Sequence, residues 1–136
     1  MQNGQSCAFG GGLLRPGCGR EAVTDCVYCA RPFCHEHGER GEHYMDVCAG
    51  KRCREKLRDA RAHEEWRARV AASNRVSVCA DEGCGSRLGH ECSRCRMLFC
   101  AIHVREQRVK DTRRQPAIEV VALVCAHCSE RRKIWG

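Results

Sequence analysis

One pattern of cysteines and a histidine occurs twice in this chain, and it restricts the possible folds more than any other feature. Residues 26–37 align without gaps to residues 92–103, and both segments read C-x2-C-x3-F-C-x2-H. Such self-similarity indicates a duplicated structural unit. The other cysteines also pair in order between the two copies: Cys7 with Cys79, Cys18 with Cys84, and Cys48 and Cys53 with Cys125 and Cys128. Each copy therefore contributes seven cysteines and one matched histidine, and no cysteine is left over.

The cysteine content indicates that covalent or metal cross-links replace a conventional core. The 136 residues include 14 Cys but only three Phe, two Trp and two Tyr. This cysteine density is typical of chains held together by disulfides or by metal. The N-terminal residues lack a signal-peptide pattern, and no segment is apolar over the length needed to span a bilayer. We therefore expect a cytoplasmic protein with reduced thiols that bind metal, and a disulfide framework is the alternative.

The ligand count predicts zinc. Seven cysteines and one histidine are eight ligands, which is enough for two tetrahedral sites in each copy and about four Zn²⁺ in the chain. The spacing does not by itself distinguish zinc from iron, but sites with three Cys and one His favour zinc. The repeat selects His37 and His103 as ligands, because His35 aligns with Ala101. The histidines without a counterpart are expected on the surface or in loops: His43, His63, His90 and His127.

The order of the ligands also predicts which of them share a metal ion. The two thiolates of a C-x2-C pair bind one ion, and the next pair follows too closely to wrap around the same one. The problem does not arise if the first and third pairs of each copy share one ion and the second and fourth pairs share the other. Sequential pairing, in which neighbouring pairs share an ion, remains the alternative. The four predicted sites are Cys7, Cys18, Cys34 and His37; Cys26, Cys29, Cys48 and Cys53; Cys79, Cys84, Cys100 and His103; and Cys92, Cys95, Cys125 and Cys128.

Three segments are expected. A helix-forming composition from Gly50 to Ala72 predicts a helix that joins the two copies. The second copy is longer than the first between His103 and Cys125, and this region reads as a basic hairpin extension. The predicted ranges are 1–55 for the first two-zinc module, 56–75 for the helical linker and 76–136 for the second module.

A knuckle, a hairpin and then a helix N-terminus is the treble-clef arrangement. The run Cys95-x4-Cys100-Ala101-Ile102-His103 resembles the middle of AN1-type and B-box-type zinc fingers, which are two-zinc modules related to RING domains. The resemblance covers six of the eight ligands in each copy and departs at both ends. The expected fold class is a small metal-dominated α+β protein with two tandem cross-braced treble-clef modules joined by a helix.

These features indicate a binding protein rather than an enzyme. Every conspicuous ligand is used in a site with four protein ligands, whereas a catalytic zinc needs an open position. The resemblance implies a non-catalytic adaptor that binds a protein partner, with no membrane or small-molecule substrate.

Two other functions remain open. The chain could bind nucleic acid through the basic arm 105–114, the helix segment 51–58 or the tail 131–133. The formal charge of +7 is weak support for this, because zinc-bound thiolates would cancel most of it. The last alternative is a RING-like ubiquitin-ligase adaptor, which rests on fold analogy alone.

Overall fold

The computed structural model describes residues 4–136, so the first three residues of the predicted first module lie outside the described part. Within it the chain forms a small α+β structure of two α-helices and four two-stranded antiparallel sheets. The chain divides into two compact units between Ala60 and Arg61. This boundary falls inside a long helix, Lys51–Arg75. The predicted division into residues 1–55, 56–75 and 76–136 stays a prediction.

The first unit contains two short hairpins followed by the start of a helix. Strands β1 (Thr24–Asp25) and β2 (Pro32–Phe33) pair with Thr24 opposite Phe33. Strands β3 (Gly38–Glu39) and β4 (Val47–Cys48) pair with Gly38 opposite Cys48, and a 3-10 turn, Glu42–Tyr44, lies between them. Helix α1 then begins at Lys51 and ends at Arg75, one residue later and three residues later than predicted.

The second unit repeats this order with a much longer second hairpin. Strands β5 (His90–Glu91) and β6 (Leu98–Phe99) pair with His90 opposite Phe99. Strands β7 (Val104–Asp111) and β8 (Ile118–Cys125) pair over eight residues each, with Val104 opposite Cys125. Helix α2 (Ala126–Trp135) follows directly. The predicted hairpin extension is therefore present as β7 and β8.

The local backbone of the two C-x2-C segments is the same. In the first, the Cys26 N–H donates to the Arg31 carbonyl; in the second, the Cys92 N–H donates to the Met97 carbonyl. The residue after each pair, Ala30 or Arg96, has a φ of 60° or 62°. A residue in this left-handed region turns the chain sharply, so both cysteines of a pair can face one point.

Each unit has its own core, built from one buried phenylalanine and the cysteines around it. Phe33 is buried among Cys7, Cys26, Cys34, Cys48 and Cys53, with Val47 and Leu57. Phe99 is buried among Cys79, Cys92, Cys95, Cys100, Cys125 and Cys128, with Trp66, Val70, Val104 and Val124. Cysteines are thus five of the eight buried side chains in the first core and six of the twelve in the second, which also includes Ala80. Their sulfur chemistry must therefore carry much of the stability that apolar side chains provide elsewhere.

Helix α1 contributes apolar side chains to both cores. Cys53 and Leu57, one turn apart, belong to the core of the first unit. Trp66 and Val70, also one turn apart, belong to the core of the second. Because each pair belongs to a different core, the helix has no continuous apolar stripe. No helix in residues 4–136 combines the length and apolar composition of a membrane span.

Candidate metal centres

Four groups of Cys and His side chains converge in the structure. In each group the four possible ligand atoms all lie within 4.8 Å of one another. The groups have the same members as the four predicted sites: Cys7, Cys18, Cys34 and His37; Cys26, Cys29, Cys48 and Cys53; Cys79, Cys84, Cys100 and His103; and Cys92, Cys95, Cys125 and Cys128. All sixteen predicted ligands therefore lie in one of the four groups. In each copy, the first and third pairs of ligands along the chain share one group, and the second and fourth pairs share the other.

The distances between these atoms fit a tetrahedral zinc ion. With Zn–S bonds of about 2.3 Å, two sulfurs of a tetrahedron lie about 3.8 Å apart. The Sγ atoms of Cys18 and Cys34 are 3.7 Å apart, and those of Cys95 and Cys125 are 3.9 Å apart. The Nδ1 atom of His37 lies 3.5 Å from the Cys7 sulfur and 3.4 Å from the Cys34 sulfur. A shorter Zn–N bond gives about 3.6 Å for this edge.

The same distances exclude the disulfide alternative. A disulfide holds its two sulfurs about 2.05 Å apart. All fourteen cysteines lie in the described part of the chain, and all of them are free thiols.

The local structure explains how neighbouring ligands converge. Cys34 and His37 lie on one turn, because the His37 N–H donates to the Cys34 carbonyl; His103 and Cys100 repeat this bond. Cys125 precedes α2, and its sulfur accepts a hydrogen bond from the Cys128 N–H. The N-terminal end of a helix stabilises negative charge, so this position favours a thiolate.

The four buried thiols of the second all-cysteine cluster cannot all ionise together without a cation. Hydrogen bonds from Cys125, Cys128 and Cys95 lower the pKa of Cys92 far below its usual value. Hydrogen bonding within the same group and burial raise the pKa of Cys128 strongly. Four adjacent thiolates repel one another, so without a metal some must keep their protons. A divalent cation removes this conflict, and each thiol then loses its proton on binding.

One half-buried ligand is already acidic. The hydroxyl and the backbone N–H of Ser86 lower the pKa of Cys84 to about 7. A thiol with this pKa is substantially ionised at neutral pH, so it needs little further energy to become a metal ligand.

Both ligand histidines present Nδ1 to the cysteines, but the rest of each ring has different surroundings. The Phe9 ring stacks on His37, with ring centroids 5.8 Å apart and an interplanar angle of 18°. In the second unit, Asp81 Oδ1 lies 3.8 Å from Nε2 of His103. A carboxylate on the far side of a ligating imidazole orients the ring and makes it a better ligand. Neither neighbour was predicted from the sequence.

The expectation for two other histidines was wrong. His63 and His127 are half-buried, and His63 Nδ1 lies 2.9 Å from His127 Nε2. The Trp66 ring stacks on His127 with centroids 3.8 Å apart. Burial and the neighbouring Arg131 lower the pKa of His63. Their absence from the repeat predicts positions on the surface or in loops, but the repeat carries no information about packing between α1 and α2.

One arginine of α1 forms an ion pair with a residue outside the helix. Glu65 and Arg69 have the spacing of a helical pair, but the Arg69 guanidinium instead contacts Glu82 Oε1 at 3.1 Å. His43, His90 and His35 are exposed, as expected for histidines that the repeat does not select.

The fold and the four clusters define the class of this chain as a small zinc-binding protein. It carries four Cys/His clusters of four ligands each, the number predicted from the sequence. Comparisons with protein-family models, with curated proteins and with solved structures found no match.

Proposed function

We propose that this chain is a non-catalytic zinc-binding adaptor that binds a protein partner through a loop held by metal. In this proposal the two units are tandem cross-braced treble-clef modules, of the kind that AN1-type and B-box-type fingers represent. The shared hairpin order, the alternating ligand groups and the helix that begins within each last pair of cysteines support this assignment. The proposal includes a location in the cytoplasm, where the thiols stay reduced.

The composition of the sites supports a structural role for the zinc. A catalytic zinc has three protein ligands and an open position for water or substrate. Each cluster in this chain offers four protein ligands, and all but one of the eight residues in the two all-cysteine clusters are buried. A metal enclosed in this way stabilises the fold and is not available to a substrate.

The observation that carries the adaptor function is a pair of fully exposed leucines. Leu13 and Leu14 have relative exposures of 105% and 97%. They are the two central residues of a tight turn in which Gly12 and Arg15 exchange backbone hydrogen bonds of 3.3 and 3.1 Å. Gly, Asn and Asp are the usual residues at such positions, because they readily adopt the backbone conformations of tight turns. Large apolar side chains at these positions are left in water. Two adjacent leucines at the tip of a turn therefore favour a contact with another protein.

The cluster ligands hold this turn in place. The turn lies between Cys7 and Cys18, and the Cys18 N–H donates to the Phe9 carbonyl across its base. Metal binding by both cysteines would fix the ends of the loop and reduce the entropy lost when the leucines bind a partner.

Metal analysis is the first test. The purified chain should contain four zinc ions by mass spectrometry under native conditions, and fewer than three would contradict the four-site assignment.

The partner is tested by comparing pull-downs with matched variants. The zinc-loaded chain is compared with a Leu13→Ser/Leu14→Ser variant and with Val121→Ser, which removes another exposed apolar side chain from β8. A partner of the turn should be retained by the wild type and by Val121→Ser but lost by the double variant. The zinc content should be equal in all three. A set of bound proteins that the double variant leaves unchanged would contradict the proposal.

A further inference from the structure

The outer edge of β7 is open to a further strand. Strand β7 pairs with β8 on one side, and within residues 4–136 no backbone hydrogen bond forms on its other side. The outer edge of β8 is different, because the Ser93 N–H donates to the Leu123 carbonyl there. The Cys125 N–H donates to the Cys92 sulfur on the same side. An uncovered strand edge is a template for pairing with another chain, and in this hairpin β7 provides it.

The register of the hairpin shows which backbone groups of β7 point outward. Glu106 lies opposite Leu123, whose carbonyl points away from β7 toward Ser93. In an antiparallel ladder, pairs whose backbone groups point away from each other alternate with hydrogen-bonded pairs. The N–H and C=O groups of Glu106, Arg108 and Lys110 therefore point outward, and all three side chains are exposed.

The hairpin extends beyond the core that supports its base. Val104 and Val124 are buried at the base, whereas Ile118 and Val121 on β8 are 39% and 63% exposed. A two-stranded hairpin on its own is marginally stable in water, and further strands stabilise it. In the first unit, the matched strands β3 and β4 have only two residues each. A strand added to β7 would therefore stabilise the outer half of a hairpin that only the second unit extends.

The charges along β7 indicate which strand fits its edge. Glu106 and Arg108 are two residues apart, so their side chains lie on the same face of the strand. The residues directly opposite them on β8 are the apolar Leu123 and Val121. Neither charge is thus balanced by the residue that faces it in the hairpin, and both lie where an added strand would meet them.

A second copy of β7 is complementary to this edge. In an antiparallel pair of identical strands centred on Gln107, Glu106 of each copy lies opposite Arg108 of the other, and symmetry repeats the ion pair. The two neighbouring registers that use the same backbone groups place Arg108 opposite Arg108 or Glu106 opposite Glu106. Like charges that face each other directly destabilise a strand pair. The order of charges therefore favours self-pairing in one register.

We propose that two copies of this chain associate through β7, antiparallel and with Glu106 opposite Arg108. The two β7 strands form the centre of a four-stranded sheet, and each β8 strand lies on the outside. Backbone hydrogen bonds hold the strands together, and the ion pairs fix the register. Because a single strand pair buries little surface, the dimer is weak and depends on protein concentration.

Sedimentation equilibrium of the zinc-loaded full chain tests this pairing. The wild type should show a reversible monomer–dimer equilibrium. Glu106→Arg and Arg108→Glu each place like charges opposite one another at both symmetric positions, so each should weaken the dimer about tenfold. An equimolar mixture of the two variants should form a heterodimer as stable as the wild-type dimer, because opposite charges face each other again. A wild type that stays monomeric, or a mixture no better than its components, would overturn the proposal.

A charge reversal on the opposite face of β7 is the matched control. Arg105→Glu changes the net charge as much as Arg108→Glu does, but in the proposed register Arg105 faces the second copy's Val109. It should therefore change the dimerisation constant by less than about twofold. Equal losses in the two variants would indicate attraction by net charge alone and would overturn the proposal. Zinc content and thermal unfolding are measured for each variant.

Hydrogen exchange of the wild type tests the backbone pairing without any substitution. The N–H groups of Glu106 and Arg108 should exchange more slowly at high protein concentration, because pairing gives them acceptors. The N–H groups of Gln107 and Val109, which point toward β8, should change little. A dimer that leaves Glu106 and Arg108 unprotected would overturn the proposal.

The exposed leucines of the first unit provide the last control. The Leu13→Ser/Leu14→Ser variant should dimerise like the wild type, because the proposed contact uses only β7. A variant that no longer dimerises would overturn the proposal and would indicate that the leucine turn joins the two copies. Failure of the dimer and failure of the adaptor proposal are thus separate results, since the pull-down and the sedimentation experiment change different residues.

Discussion

The two units of this chain bring together the same ligands in the same order, but they surround them with different side chains. The residue two positions after the first cysteine is Phe9 in one unit and Asp81 in the other. Phe9 stacks on its ligand histidine, whereas Asp81 places a carboxylate near Nε2 of His103. Both residues contact the ligand histidine of their own unit, but one offers an aromatic ring and the other a carboxylate. The two units thus have the same ligand residues, while the residues that contact those ligands differ.

Two further differences concern packing. Cys29 is exposed in the first unit, whereas its counterpart Cys95 is buried in the second. Gly38 begins β3, whereas Val104 begins β7 at the matched position. The longer β7–β8 hairpin gives the second unit more apolar cover, including Val109 and Leu123 against its core. The second unit therefore has apolar packing from this hairpin in addition to its metal ligands.

Loss of a ligand should have the largest effect and should test whether the units are independent. Cys29→Ser and Cys95→Ser each remove one ligand of an all-cysteine cluster. Because metal-binding energy is folding energy in such small cores, each variant should unfold mainly its own unit. Hydrogen exchange, followed by mass spectrometry, should show lost protection in residues 4–60 for the first variant and in residues 61–136 for the second. Loss of protection in both units with either variant would mean that they fold as one.

The steric difference at Gly38 predicts the next largest effect. A Cβ atom there would overlap the Phe33 ring and would lie 2.7 Å from the Val47 carbonyl oxygen. Gly38→Ala should therefore destabilise the first unit by about 3 kcal/mol, the upper end for overpacking. Val104→Ala leaves a small cavity and should cost the second unit about 2 kcal/mol. Both are measured by thermal unfolding with zinc in excess.

A glycine in open space provides the control for this pair. A Cβ atom on Gly17 would meet nothing within 4 Å, so Gly17→Ala should leave the first unit unchanged within about 0.5 kcal/mol. If Gly38→Ala were equally mild, the close packing of Phe33 against β3 would not be a constraint on this unit.

The sequence predicted the members of the clusters because the two ligands of most pairs are close in sequence and the repeat gives the order of the pairs. Ligands at a spacing of two or three residues face one point wherever the chain turns, and the repeat supplied their order. It could not predict Asp81 near His103, because this contact depends on how a loop folds over the cluster. Asn74 is a similar case: its side chain binds the Leu98 backbone N–H and carbonyl at 2.8 and 2.9 Å. No periodic pattern records such contacts between distant segments, which arise only from packing.

The contacts of the two ligand histidines predict a smaller effect on metal affinity. Asp81→Asn removes the charge near His103 and should weaken zinc binding at that cluster about tenfold, the low end for such neighbours, because the 3.8 Å separation is long. Phe9→Leu keeps an apolar contact on His37 and should change zinc affinity less. Competition with a chromophoric chelator measures both. Glu82→Gln, beside Asp81 but paired with Arg69, is the control and should have no effect on affinity.

The exposure of Cys29 predicts the smallest and most local effect, a difference in reaction rate. Thiolates react only where a reagent can reach them, so N-ethylmaleimide should modify Cys29 of the zinc-loaded chain severalfold faster than Cys95. Peptide mapping after short reaction times measures both rates. Cys18 and Cys84 are half-buried at matched positions and should react at similar rates, which makes them the internal control. Modification of Cys95 as fast as Cys29 would mean that the second cluster opens to solvent. The greater burial of Cys95 would then not protect it from the reagent.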